Sequence, residues 1–238
     1  VAGAQKNTLK PWLKQQWCIP DVNGAFVAAM EDVLELYAEP YDPQQPKVCL
    51  DETNRQLLAD TCPPLPATAG QPLRSDYAYT RQGTRNLFLC CEPPAGWRHI
   101  AVTERRTKHD FAHPMQWLVD ERYPEATVIR IVLDNLHTHG PGSLYEAFMP
   151  AEAQRLVEKW EFHYTPKHGR WRNMAEIALS ILQRQCLDRR LADEDTLKRE
   201  LAAWEQQRNE AQETIDWRFS LTDAREKLKR LYPTHSVR

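Results

Sequence analysis

The chain has 238 residues, a formal net charge of −2, 42% hydrophobic residues and 27% charged residues. Those values fit one large globular domain, or one domain with an appendage. They exclude a membrane span, for which no apolar run is long enough, and they argue against a uniformly basic nucleic-acid-binding domain. Basic residues do cluster locally, at Arg98, Arg105, Arg106 and Lys108, at Lys167, Arg170 and Arg172, and at Arg225, Lys227, Lys229, Arg230 and Arg238. No apolar segment of signal-peptide type opens the sequence. The six cysteines form no C-x-x-C pair, and Cys49, Cys90 and Cys91 sit in apolar strand-like runs. Small buried thiols in a reducing compartment, the cytoplasm, are therefore expected.

In chain order, residues 1–20 read as an extended linker anchored by Trp12 and Trp17. A helix is predicted from Pro20 and Asp21, with Asp21 as its cap and Phe26, Val27, Met30, Val33, Leu34 and Tyr37 at helical spacing. The run "KVCLDET" predicts a short strand ending in Asp51 and Glu52. "YAYTRQGTRNLFLCCEP" predicts two strand pieces around a turn at Gln82 and Gly83, and "GWRHIAVTER" a further strand, which together suggest an antiparallel meander. From Thr107 to Tyr123 the period becomes helical, with Phe111, Met115, Leu118 and Val119 on one face. "TVIRIVLDN" is a strand ending at Asp134, and helical stretches reach Lys159. "EFHY" is a brief strand, and "NMAEIALSILQRQCL" is a helix. Helices over 194–214 and 222–230 close the pattern.

A meander followed by alternating elements predicts an α/β fold, a mixed five-stranded sheet flanked by helices in the ribonuclease-H-like order. Asp51 and Asp134 each follow a strand, so in a parallel pair both stand at the carboxyl edge, where open sheets place ligands. Glu176 enters from a later helix. Three converging carboxylates stay ionised together when a cation neutralises them, and hard oxygen ligands suit Mg²⁺ or Mn²⁺. Taken singly, each acid is equally a turn, cap or first-turn residue. His137 and His139 stand at alternate positions but lack partners at zinc spacing.

"LDNLHTH" and "YTPKHGRWRNMAE" closely resemble the bacterial insertion-sequence branch of the mariner-like transposases, DDE superfamily endonucleases. The matching residues are Asp134, Asn135 and His139, then Thr165, Pro166, Lys167, His168, Gly169, Trp171, Asn173 and Glu176. "VCLDET" is similar to the first catalytic strand of that family, and the resemblance runs roughly from Lys10 to Pro233. It implies metal-dependent DNA strand cleavage and strand transfer at transposon ends, with Asp51, Asp134 and Glu176 as catalytic metal ligands. It implies Mg²⁺ as cofactor, with Mn²⁺ as substitute and two ions bound. DNA is the implied partner, with a homodimer on DNA and no membrane.

Lys167, His168, Arg170, Trp171, Arg172, Asn173, Arg105 and Arg106 are then expected beside DNA, and Asn135 and His139 around the metal ligands. The implied organisation is a linker and helix over 1–40, following an absent DNA-binding region, and a catalytic domain with C-terminal helices over 41–238. Two features depart from the family pattern. Arg170 and Arg172 stand where a serine and a leucine are usual, and no helix-turn-helix region is seen before Trp12. They keep open one alternative, an inactive or domesticated DNA-binding remnant; a ribonuclease-H-like nuclease that uses the same three acids without strand transfer is a second.

Overall fold

The computed structural model describes residues 23–166 and 173–233. Its centre is a five-stranded sheet in the order β3-β2-β1-β4-β5. Strands β1 (Lys47–Asp60), β2 (Tyr79–Glu92) and β3 (Trp97–Thr103) form the expected antiparallel meander. Strands β4 (Ile129–Leu133) and β5 (Trp160–Tyr164) run parallel to β1. The helices are α1 (Gly24–Ala38), α2 (Lys108–Trp117), α3 (Pro141–Ala147), α4 (Pro150–Val157), α5 (Met174–Leu182), α6 (Glu194–Glu210) and α7 (Leu221–Lys227). Single π-helical turns, Leu118–Arg122 and Gln183–Leu187, extend α2 and α5.

Strand alternation sends successive side chains into two separate cores. Val48 and Leu50 of β1, Phe88 and Cys90 of β2, and Ile129, Ile131 and Leu133 of β4 meet Phe111, Met115 and Leu118 of the α2 segment. On the other face Cys49, Leu87, Leu89, Cys91 and Val132 meet Val33 of α1, Ala178 and Leu182 of α5, and Leu197 and Leu201 of α6. A sheet covered on both faces explains why its central strands read as continuous apolar runs. Cys49, Cys90 and Cys91 are buried free thiols, as expected. The exposed edge of β3 is closed by α6. Asn209 accepts from Arg98 N and donates to Arg98 O, both at 2.8 Å, and Glu205 accepts from Ile100 N at 3.0 Å. Side chains thus take the place of a further strand, which would otherwise find a free ladder there.

Three local expectations change. Helix α1 is capped by Asn23, whose side chain accepts from Phe26 N at 3.0 Å; Pro20 and Asp21 lie outside the described residues. Packing of Phe26, Met30 and Leu34 with Ala224 of α7 ties α1 to the C-terminal helices. Strand β1 does not stop at Glu52. It continues to Asp60 because β2 supplies an antiparallel partner along its whole length. Gln82 and Gly83 make no turn. The ladder shifts register between Gln56 and Leu58, and Gly83 sits at φ 104° within one unbroken strand. An extra residue is absorbed as a β-bulge, and glycine supplies the positive φ.

Gly96 makes the tight entry into β3 at φ 66°, and a Cβ there would lie 2.5 Å from the backbone carbonyl of Gln212. Gly96→Ala combines strained φ with a backbone overlap that no side-chain motion relieves. It is expected to destabilise the fold by at least about 2 kcal/mol, seen as a melting temperature lower by at least about 4 °C in thermal unfolding.

Candidate active site

The parallel pairing of β1 with β4 reaches Cys49 opposite Val132. Two residues further on each chain, Asp51 and Asp134 stand at the same sheet edge. Asp134 leaves the end of β4, whereas Asp51 lies within β1, at the point where its parallel neighbour ends. Both are buried, each at 7% exposure.

The third acid is placed by a cap. Asn173 accepts from Ala175 N at 3.0 Å, starting α5, and donates to Leu50 O at 2.7 Å. One amide therefore both begins the helix and fastens it to the backbone next to Asp51. That puts Glu176, in the first turn and half-buried, into the field of Asp51.

Burial pushes the Asp51 carboxyl up to about 7, and the nearby charges of Glu52, Glu176 and Asp134 push the same way; the Glu52 N–H donated to it opposes them. In the protein alone, this edge does not accommodate all its negative charge. That is the electrostatic condition of a site built to hold a cation. Its donors are carboxylate oxygens, the hard ligands that Mg²⁺ and Mn²⁺ prefer. Asp51, Asp134 and Glu176 therefore fit such an ion chemically.

One internal cation already relieves part of the charge. His139 is buried, with Nδ1 2.6 Å from Asp134 Oδ1 and Nε2 3.2 Å from Glu52 Oε2. Burial alone would lower its pKa, but the two carboxylates outweigh this and raise it to about 9. Glu52, Asp134 and His139 each bring a ligand atom within 4.8 Å of the others.

Of the other residues singled out in the sequence, Asn135 is exposed, beside Asp134. Arg105 and Arg106 are exposed in the bend between β3 and α2, and Arg106 Nη1 lies 3.7 Å from Glu52 Oε1. That puts the bend at the same edge as the carboxylates. Asn173, expected beside DNA, is buried at 2% exposure with its amide engaged inside the protein. Lys167, His168, Arg170, Trp171 and Arg172 lie outside the described residues. Glu52 was missed as a site residue. The available signal was the alternation Val48, Leu50, Glu52, which places an acid on a strand face that is otherwise apolar.

A family model described as DDE superfamily endonuclease matches residues 46–198, a span that starts just before β1 and includes all three acids. The chain belongs to the DDE superfamily endonucleases. Among solved structures, the fold of this family member is similar to that in the Mos1 mariner paired-end complex with Mn, with a TM-score of 0.53 and 13% identity over 88% of this chain and 62% of that one. The Mos1 strand transfer complex gives a TM-score of 0.53 at 12% identity, over 84% of this chain and 61% of that one. A pre-cleavage Mos1 transpososome gives 0.52 at 12% identity, over 86% and 68%. The chain thus spans about 62% of the first of these transposase chains. At such identities the likeness establishes the ribonuclease-H-like fold. Comparison with curated proteins gave no match. Among the described residues no helix is long and apolar enough to cross a membrane.

Proposed function

We propose that this chain is the catalytic domain of a DNA transposase, which cleaves DNA at transposon ends and transfers the strand to target DNA. The observation that carries the reading is the placing of Asp51 and Asp134 at one sheet edge, on adjacent parallel strands, with the charge of Glu176 acting on Asp51 from a helix pinned to the backbone beside it. Membership of the DDE superfamily and a fold shared with a mariner transposase in DNA complexes support it.

Asp51, Asp134 and Glu176 are the residues that would hold Mg²⁺, or Mn²⁺ in its place, as a pair of ions. Bound there, the metal supplies a Lewis acid that lowers the pKa of water or a 3′-hydroxyl and offsets charge on the phosphate. The chain's own groups fix the geometry. Asn173 sets the start of α5, and hence the approach of Glu176. His139 holds one oxygen of Asp134. Arg105 and Arg106 supply exposed cations at the same edge for DNA phosphates, a contact that gives affinity without sequence reading. Lys167, His168, Arg170, Trp171 and Arg172 join them on the sequence resemblance, with Asn135 beside Asp134. A homodimer pairing two DNA ends belongs to this reading, as does action in the cytoplasm, without a membrane.

The test is joining of a labelled oligonucleotide with a free 3′-hydroxyl to supercoiled plasmid in Mn²⁺, with Asp134→Asn and Glu176→Gln as controls. Joined product that disappears in both variants is the expected result. Nicking without joining would replace the transposase reading with a hydrolytic nuclease. Product that persists in both variants would overturn the site.

A further inference from the structure

Strand β1 carries two adjacent acids that point to opposite faces of the sheet. Asp51 follows Cys49 toward α5. Glu52 follows Val48 and Leu50 toward α2, into a core containing Phe111, Met115 and Leu144. Its side chain is only 6% exposed, and its Oε2 is buried without a well-aligned hydrogen bond. A carboxylate in such a place costs stability, so its partner matters.

That partner is His139. The imidazole is held on three sides. Its ring face stacks on Phe111 with centroids 5.0 Å apart, its Nε2 edge faces Glu52 Oε2 at 3.2 Å, and its Nδ1 edge meets Asp134 Oδ1 at 2.6 Å. With Phe111 fixing the ring plane and Glu52 occupying one edge, Nδ1 is the nitrogen left to face Asp134. A ring flip would turn Cδ2–H and Cε1–H toward the two carboxylates in place of Nδ1 and Nε2, and the loss of the Glu52 contact opposes it.

We propose that Glu52 is a positioning residue for the reaction, acting through His139 to fix the orientation of the Asp134 carboxylate. The inference rests on the metal-dependent reading of the carboxylate edge given above. Glu52 touches neither DNA nor the reacting atoms in this role. It sets which oxygen of Asp134 is taken by the imidazole, and so how that carboxylate is presented to a cation. Arg106, 3.7 Å from the other oxygen of Glu52 and largely exposed, connects this chain of contacts to the basic bend between β3 and α2.

Mn²⁺ binding to the metal-free protein, followed by electron paramagnetic resonance of the free ion, tests the proposal without relying on turnover. Partners behind metal ligands typically contribute about 10- to 100-fold in metal affinity or activity. Glu52→Ala is expected to weaken Mn²⁺ binding by about 10-fold. Glu52→Gln keeps an acceptor oxygen facing Nε2 and should lose less than about 3-fold, a rescue that bulk destabilisation would not produce. Thermal unfolding of both variants identifies any that fail to fold, and Glu52→Gln, nearly isosteric, keeps the test available. In the joining reaction, Glu52→Ala should raise the Mn²⁺ concentration for half-maximal rate more than it lowers the rate at saturating Mn²⁺.

Unchanged Mn²⁺ affinity in folded Glu52→Ala would overturn the proposal, whether or not the protein joins DNA. Weakened affinity in a protein that neither cleaves nor joins DNA would support the positioning role and remove the transposase reading. The two failures are thereby distinct.

Discussion

Asp51→Asn is expected to abolish DNA cleavage and joining, by about 10³-fold or more, while making the metal-free protein more stable. The loss follows from removing a charged oxygen ligand on which a site of this kind depends. The gain follows from burial. The Asp51 carboxyl is pushed from an ordinary 3.8 up to about 7, chiefly by desolvation. Between those values the folded protein keeps a proton that the unfolded chain has released. The folded state then binds more protons, and stability falls as pH rises. The penalty is absent below about pH 4, grows between about pH 4 and pH 7 and is complete above about pH 7. Its full size is about 4 kcal/mol, at about 1.4 kcal/mol per unit. Asparagine has no charge to bury, so the variant escapes this slope. At pH 8 without metal its melting temperature should exceed that of wild type by about 8 °C, at about 2 °C per kcal/mol for a chain of this size. At pH 4 the two should melt together. Mg²⁺ should stabilise wild type at pH 8 and leave Asp51→Asn nearly unmoved, since a ligand stabilises only the state that binds it. Scanning calorimetry over pH, with and without Mg²⁺, checks both directions. Equal melting curves at pH 8 would show that the carboxylate edge tolerates its charge without a cation.

Much of this edge was legible in the sequence because it depends on short-range signals. Two apolar runs that end in aspartate, and a helix with an acid in its first turn, are local patterns. Singly each acid reads equally as a turn, cap or first-turn residue, and the family resemblance in the surrounding motifs is what singles out Asp51, Asp134 and Glu176. The misread features depend on partners distant in sequence. The polar second half of β1, from Thr53 to Asp60, has no strand pattern of its own and is held by pairing with 79–87. Gly83 carries the same local signal in a bulge as in a turn, and only the register of β1 decides between them. Glu52 was hidden beside Asp51, because a doublet of acids reads as one feature until strand alternation separates its members. The expectation of Asn173 beside DNA follows from its place in the family motif. Its position just before an apolar helix also carried the cap signal, but the bond to Leu50 joins residues far apart in the chain. For the loop histidines the resemblance implies only that His139 stands around the metal ligands, without its burial. Exposure of His137 and burial of His139 are set by the turn that closes from His139 N to Leu136 O.

Asn173→Ala is the second variant with a large expected effect, and it separates placement of Glu176 from its chemistry. The substitution removes an N-cap, which contributes about 1 kcal/mol. It also leaves the buried Leu50 carbonyl without this donor, at about 1–3 kcal/mol. The sum, about 2–4 kcal/mol, should lower the melting temperature by several degrees and leave the protein folded at 25 °C. The functional effect should be larger than the structural one. Freed from Leu50, the start of α5 shifts relative to β1, and a displacement of about 1 Å at a reacting centre lowers rates by about 10²-fold. Asn173→Ser retains a capping oxygen but not the reach to Leu50. It should recover most of the helix stability and little of the activity. Asn173→Asp also keeps a cap, but it sets a carboxylate against the Leu50 carbonyl and beside Asp51, so metal-free stability should fall further, most strongly above pH 7. Thermal unfolding and joining rates at 25 °C across the three variants give the ordering. If Asn173→Ser restored the rate together with the stability, the bond to Leu50 would have no part in placing Glu176, and the cap alone would account for the conformation of α5.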